Sequence, residues 1–242
     1  MKIINFVLIV FVFHWGTAQG LQEAQDFYQS GNSAKAIQTL EQIVKENPKD
    51  EKALSLMGKI YAEKENWERA STYYSELVNI APSNADYNFK YGGALGLYAK
   101  TLNKFKAVFL VEDVKKHLNK AARLDPNHIE VRWALVQLYL ELPSIIGGSI
   151  EKARSYANEL EEISPVDGAL TKGLIAEEEK DFKAAENYYK KAVSLRKSTL
   201  TYQKLVDLYL KTDQTQKAKK TAEKAYKTTN EDNFLKKVNH IN

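Results

Sequence analysis

An all-α solenoid of repeated helix pairs is the fold class that this 242-residue sequence predicts, and three observations predict it. Pro48, Pro82, Pro126 and Pro165 stand 34, 44 and 39 residues apart, and spacings of that size mark stacked supersecondary units. Between the prolines, small and aromatic residues recur in the same order. No alternating apolar–polar stretch of useful length competes with that pattern. The composition suits one or two domains with a real core, since 44% of the residues are hydrophobic and 27% charged. There is no cysteine, which excludes disulfides, Cys-ligated zinc, iron–sulfur clusters, a thiol nucleophile and a lipid anchor on cysteine. The 35 basic and 31 acidic residues nearly cancel, so charge makes no case for a nucleic-acid partner.

The chain begins with Lys2 followed by an apolar run from Ile3 to Phe13, interrupted only by Asn5. Eleven residues are too few to span a bilayer but suit the core of a signal peptide. Gly16 and Ala18 place small residues three and one before Gln19, so residues 1–18 are expected to be a cleaved signal peptide. Retention of the segment as an anchor is the alternative. Cleavage before Gln19 predicts an exported chain, with a bacterial periplasm as the expected destination and no membrane span among the remaining 224 residues, 19–242.

Taken in order, the repeats begin with Ala24, Phe27, Gly31, Ala36, Leu40, Ile43 and Pro48. The second holds Leu54, Met57-Gly58, Tyr61, Trp67, Ala70, Tyr74, Leu77 and Pro82. Met57, Gly58 and Tyr61 share a helical face, and Gly58, without a Cβ, lets a second helix approach at the small residue Ala70. Tyr74 and Leu77 are expected to fill the seam to the next unit, and Pro82 to stop the second helix. The third unit runs from Tyr91-Gly92 and Leu95 to Leu118, Ala121 and Pro126, and the fourth from Leu135-Val136 and Tyr139 to Ala153, Ala157, Leu160 and Pro165. Gly173, Ala176, Phe182, Ala185 and Tyr189 mark the fifth, and Leu205, Tyr209, Ala218, Ala222 and Ala225 the sixth. Phe234, Leu235, Val238 and Ile241, at helical spacing within Asn230 to Asn242, predict a C-terminal capping helix.

The second unit resembles a tetratricopeptide repeat (TPR): a large apolar residue, an apolar-Gly pair, a Tyr, an Ala, an aromatic and a closing Pro stand at that family's offsets. The other units carry the same frame more weakly. The resemblance implies a right-handed TPR superhelical solenoid of about six helix-pair repeats plus the capping helix, forming one domain over 19–242. It also implies a non-enzymatic scaffold or adaptor that binds a protein or peptide on its concave face, with no cofactor and no metal.

Departures from the frame are the places to look for function. Residues 96–114 lengthen the third unit: its first helix is expected to run long, and an extra amphipathic segment carries Phe105, Phe109 and Leu110. It either packs over the end of the stack or forms a lid over the groove, with Lys104 and Lys106 at its rim. The lid underlies an alternative function, a periplasmic small-molecule or lipid carrier accessory with a pocket closed by that insertion. In the altered loop 142–149, Pro143 ends a helix, Gly147-Gly148 turn the chain, and Ser149 is a candidate N-cap. A phosphate loop is not indicated there, since no G-x-x-x-x-G-K-[ST] follows a strand.

In TPR arrays the concave face is built from first-helix residues at set repeat positions. Here the resemblance assigns Lys52, Ser55, Lys59 and Glu63, then Asp86, Phe89 and Gly93. Further along it assigns Glu130, Trp133, Gln137, Leu140 and Glu141, and then Gln203, Asp207 and Lys211. The candidate partner-binding residues are Phe89, Gly93, Trp133, Gln137 and Leu140. The two aromatics are either peptide anchors or core residues covered by the third-unit insertion. Gly92, Gly93 and Gly96 serve either close helix packing or a bare backbone surface open to a ligand. No histidine or serine motif of a hydrolase, metalloprotease or dinucleotide enzyme is present. Runs such as Glu177-Glu178-Glu179 are expected on solvated helix faces with salt-bridge neighbours.

Overall fold

A computed structural model of the chain describes residues 19–239, so the expected signal peptide, residues 1–18, lies outside the described residues. Thirteen α-helices and no strand occur among them. The chain divides after Pro126 into two compact units. The first unit holds helix α1 (19–29) with α2 (Ser33–Glu46), α3 (Glu51–Glu63) with α4 (Trp67–Ile80), and α5 (Ala85–Thr101) with α6 (Lys104–Leu124). The second holds α7 (Ile129–Glu141) with α8 (Ile150–Ile163), α9 (Pro165–Glu178) with α10 (Phe182–Leu195), α11 (Thr199–Lys211) with α12 (Thr215–Thr229), and the short α13 (Asn233–Asn239).

Local chemistry sets the helix ends. Asn32, Asp50, Asn66, Asn84, Asn103, Ser149, Asp181 and Ser198 each accept a hydrogen bond from the backbone N–H three residues on, which satisfies an orphan donor of the first turn. Within regular pairs, the turn between helices uses one residue at positive φ: Gly31, Glu65, Lys180 and Asp213. The next residue's N–H closes each turn on a carbonyl five back, as Asn66 does on Tyr61 at 2.9 Å and Asp181 on Ala176 at 2.9 Å. Pairs are then joined by a loop in which proline follows the C-cap: Asn47 precedes Pro48, and Ala81 precedes Pro82.

Pro165 behaves differently from the closing proline that the repeat frame suggests. Ser164 is both the C-cap of α8 and the N-cap of α9, and Pro165 is the first residue of α9. With so short a link, α9 lies directly on α8, and a Cβ on Gly168 would stand 2.3 Å from Glu161 Cα. The capping helix also starts later than expected, because Asn230 is the left-handed C-cap of α12 at φ 58°. Phe234 of α13 is buried.

Small residues set the closeness of each pair. A Cβ on Gly58 would lie 2.4 Å from Tyr74 Cε1, and one on Gly173 would lie 2.3 Å from Tyr189 Cε1. The same glycine–tyrosine contact therefore recurs in both units. Tyr74 fills space over Gly58 of its own repeat rather than only a seam to the next. Ala70, Ala185 and Ala218, the small residues at the start of the second helices, have no exposed surface.

The insertion at 96–114 is neither a separate segment nor a lid. α5 and α6 simply run long and meet at Leu102-Asn103. Phe105 and Phe109 are 86% and 82% exposed, so they neither pack over the stack nor line a pocket. In the altered loop, Pro143 follows the C-cap of α7, Gly147 takes φ 99°, and Ser149 caps α8. A 3₁₀ turn, Ser144–Ile146, sits between them.

Candidate functional site

First helices of successive pairs are stitched together by polar contacts across one repeat. In the first unit Tyr28 donates its hydroxyl to Glu63, and Tyr87 donates to Glu51 Oε2 at 2.8 Å. Lys59 Nζ stands 4.9 Å from the centre of the Tyr28 ring. In the second unit Trp133 Nε1 donates to Asp167 Oδ1 at 2.8 Å, Lys211 Nζ pairs with Glu177 Oε2 at 3.0 Å, and Lys237 pairs with Asp207. Glu63, Trp133, Asp207 and Lys211 are inner-face positions by family frame. Their partners Tyr28, Asp167, Lys237 and Glu177 are not among those assigned. A separation of 30 to 36 residues between partners is the repeat period itself, which is the signal that pairs them.

Between α1, α3 and α5 the stitched face opens into a groove of about 340 Å³. Lys52, Ser55 and Lys59 line it from α3, Gln25 and Tyr28 from α1, and Tyr87 from α5. Burial, then the hydrogen bond to Glu51, pushes the Tyr87 phenol up to about 12, so it stays a neutral donor at any ordinary pH. In the second unit a smaller cavity of about 170 Å³ lies between α11 and α13, with Gln203, Phe234 and Lys237 among its walls.

Phe89 and Gly93 lie one turn apart on α5, and Trp133, Gln137 and Leu140 lie along α7 in the other unit. Phe89 is half-buried. Trp133 is half-buried against the second unit's core, with its ring orientation set by Asp167. Gln137 is exposed and Leu140 half-buried. None of the five lines the described cavities. The three glycines divide: a Cβ on Gly92 would stand 3.0 Å from Leu118 Cγ and one on Gly96 would make ordinary contact with Val114, whereas one on Gly93 would meet nothing within 4 Å. Close packing therefore accounts for Gly92, while Gly93 presents bare backbone to open space.

Acidic runs are paired as expected. Glu179 accepts from Arg154 Nη2 through both oxygens, at 2.8 and 2.9 Å, and Glu177 accepts from Tyr189 as well as Lys211. Lys172 and Lys191 both hydrogen-bond Glu161 and hold its carboxyl below the usual range. Among the described residues no group of three or more His, Asp and Glu side chains is placed to hold a metal ion. No helix among them is long and apolar enough to cross a membrane.

The tetratricopeptide repeat family matches residues 27–88, 168–199 and 201–232, together just over half of the chain. Curated proteins yield no match. A tetratricopeptide repeat protein from Parabacteroides merdae superposes with a TM-score of 0.67 at 15% identity, over 88% of this chain and 80% of its own. A thermophilic TPR protein of Thermus thermophilus gives 0.62 at 16% identity, over 80% and 99% of the two chains. YrrB, described as a TPR protein with an unusual peptide-binding site, gives 0.56 at 15% identity, over 75% and 87%. At such identities the superpositions speak for the fold, and the sequence matches speak for the lineage. The repeated glycine–tyrosine packing, the helix pairs and the matched segments agree: the chain belongs to the tetratricopeptide repeat family.

Proposed function

We propose that the protein is an exported, non-enzymatic scaffold that holds a peptide segment or partner helix on the faces of its first helices. The fold is in general a protein-interaction scaffold, and TPR proteins are typically non-enzymatic. The observation that carries the finer reading is the groove between α1, α3 and α5, where Lys52, Ser55 and Lys59 hold repeat positions that face a ligand in TPR arrays. Its two lysines, two tyrosines and one serine offer donors and aromatic surface together, which suits an extended backbone. The peptide-binding description of YrrB, a structural neighbour, fits this reading. On the second unit, Trp133, Gln137 and Leu140 supply a half-exposed aromatic, an amide and an aliphatic side chain along one helix. An aromatic already locked by a hydrogen bond loses little entropy on binding.

Export rests on residues 1–18. Intact mass of the protein purified from its native envelope should correspond to a chain beginning at Gln19, and a mass that includes Met1 to Ala18 would remove the cleavage from the proposal. Partner binding is tested by capture of envelope proteins or peptides on the purified chain. Ser55→Trp fills the groove without removing a core contact and should lower capture about tenfold, as losing one hot-spot contact does. Trp133→Ala should weaken it on the second unit. Capture indifferent to both variants would refute the face assignment.

A further inference from the structure

The hairpin made by the end of α5 and the start of α6 has no part in the groove. Tyr98 of α5 donates its hydroxyl to Glu68 Oε1 at 2.8 Å, which sets Tyr98 level with the first turn of α4. α5 then continues through residues 99–101, and α6 runs through residues 104–110 before Val111, its first buried residue. The tip therefore extends past its neighbour. Phe105 and Phe109 stand one turn apart on one face of that tip, both more than 80% exposed, with Val108 exposed beside them. Single exposed apolar residues are ordinary, but two bare phenylalanines on one helix turn make a patch that no packing requirement explains.

Charge is one-sided at the tip itself, and the first carboxylates, Glu112 and Asp113, come one turn beyond Phe109, with Glu112 beside Lys115 at 2.8 Å. From Tyr87 to Val111 there is no aspartate or glutamate, in a chain that has 31 of them. Lysine is the charged residue of that stretch, at positions 90, 100, 104 and 106. Lys90 lies back along α5 beside Asp86 at 2.7 Å, whereas Lys104 and Lys106 sit at the aromatic tip and are exposed. Two phenylalanines offer roughly 300–500 Å² of apolar surface, about half of the ~800 Å² that one side of a stable protein interface buries. That area is small for a protein partner. It suits shallow insertion into a bilayer interface, where aromatic rings reach the acyl boundary and long basic side chains stay among the phosphates.

We propose that the α5–α6 tip is a membrane-contact element that inserts Phe105 and Phe109 into the interface of an anionic phospholipid bilayer, with Lys104 and Lys106 facing the headgroup phosphates. The contact is reversible, and it is separate from the partner groove.

The chain's lack of cysteine supplies the test. Val108→Cys in the full chain, labelled with an environment-sensitive fluorophore, reports on the tip alone, whatever any other segment does. Its emission should shift to the blue with phosphatidylglycerol vesicles, stay unchanged with phosphatidylcholine vesicles, and return as salt is raised. A label at Lys45→Cys on α2 should not respond. Adding Phe105→Ser and Phe109→Ser should weaken vesicle binding by at least about tenfold while leaving the thermal melt unchanged, because neither ring is packed. Absence of a shift with phosphatidylglycerol, or a shift that survives the double serine variant, would overturn the proposal. So would a lipid-free shift that grows with protein concentration, which would mark a second copy as the occupant. A shift seen only with lipid-free soluble extract would overturn it in favour of a protein partner.

Discussion

Replacing Gly173 by alanine should destabilise the second unit, although the same exchange in an open helix stabilises. A Cβ there would stand 2.3, 2.6 and 2.8 Å from three atoms of the Tyr189 ring. Restoring contact at about 3.5 Å requires the ring or its helix to retreat by about 1.2 Å. Tyr189 has no exposed surface, and its hydroxyl is held by Glu177, so the ring is fixed at both ends. Overpacking of this kind costs about 1–3 kcal/mol, and three close ring atoms place this site near ~3 kcal/mol. Removing a helical glycine returns about 1 kcal/mol, leaving a net loss of ~2 kcal/mol. Gly93→Ala is the control: a Cβ there meets nothing, so the gain of about 1 kcal/mol should stand alone. Urea unfolding followed by circular dichroism checks both, with each transition fitted separately because stacked repeats need not unfold in one step. The reasoning fails if Gly173→Ala is as stable as the parent, since the glycine would then be a matter of composition and not of helix approach.

Two further outcomes follow from backbone and burial. Lys180 holds the turn before α10 at φ 61°, so Lys180→Gly should raise the urea midpoint by an amount equivalent to about 1 kcal/mol, whereas Lys180→Ala should leave it nearly unchanged. His117 is buried with its Nδ1 2.9 Å from Asn88 Oδ1, and Asn88 spends its amide protons on the Pro82 and Asn84 carbonyls, so the imidazole must donate through Nδ1. Burial, with Lys116 nearby, holds its pKa below the ordinary value. As pH falls through about 6.5, the unfolded chain takes up a proton that the native state refuses. Stability should therefore decline from pH 7.5 toward pH 5.5, and His117→Gln should flatten that slope in pH-dependent urea titrations.

The regular repeats are legible because their signals are local. Gly58 and Tyr74, or Gly173 and Tyr189, lie within one helix pair, and a period near 34 residues repeats the instruction. N-caps such as Asp50 and Ser149 are equally local, since each bonds a backbone N–H three residues on. Legibility ends where helicity simply continues. Residues 96–114 read as an addition because the frame runs out, yet nothing in them stops a helix except the short Leu102-Asn103 link. Pro165 misleads for a related reason: a proline can follow one helix or begin the next, and only the length of the link decides.

Inner-face assignments are legible one side at a time. Family position names Trp133, Glu63 and Lys211, but Asp167, Tyr28 and Glu177 come into view only when successive first helices are stacked in register. Likewise the three glycines of α5 are equivalent as letters. In the folded chain Gly92 is pressed by Leu118 and Gly93 is open, because a helix turns about 100° per residue and only one of two neighbours can face α6.

By itself the sequence determined the class of structure: all-α, built of helix pairs about 34 residues long, the first three closed by prolines, and packed through small residues at fixed offsets. Such properties depend on contacts within a pair, which the chain encodes over a few turns. Tertiary structure alone decided which side chains meet across repeats, where the first helices leave a groove, and that Phe105 and Phe109 stand in solvent. Those depend on helix lengths and stacking register. An aromatic at helical spacing reads the same whether a neighbour covers it or the helix has run past that neighbour's end.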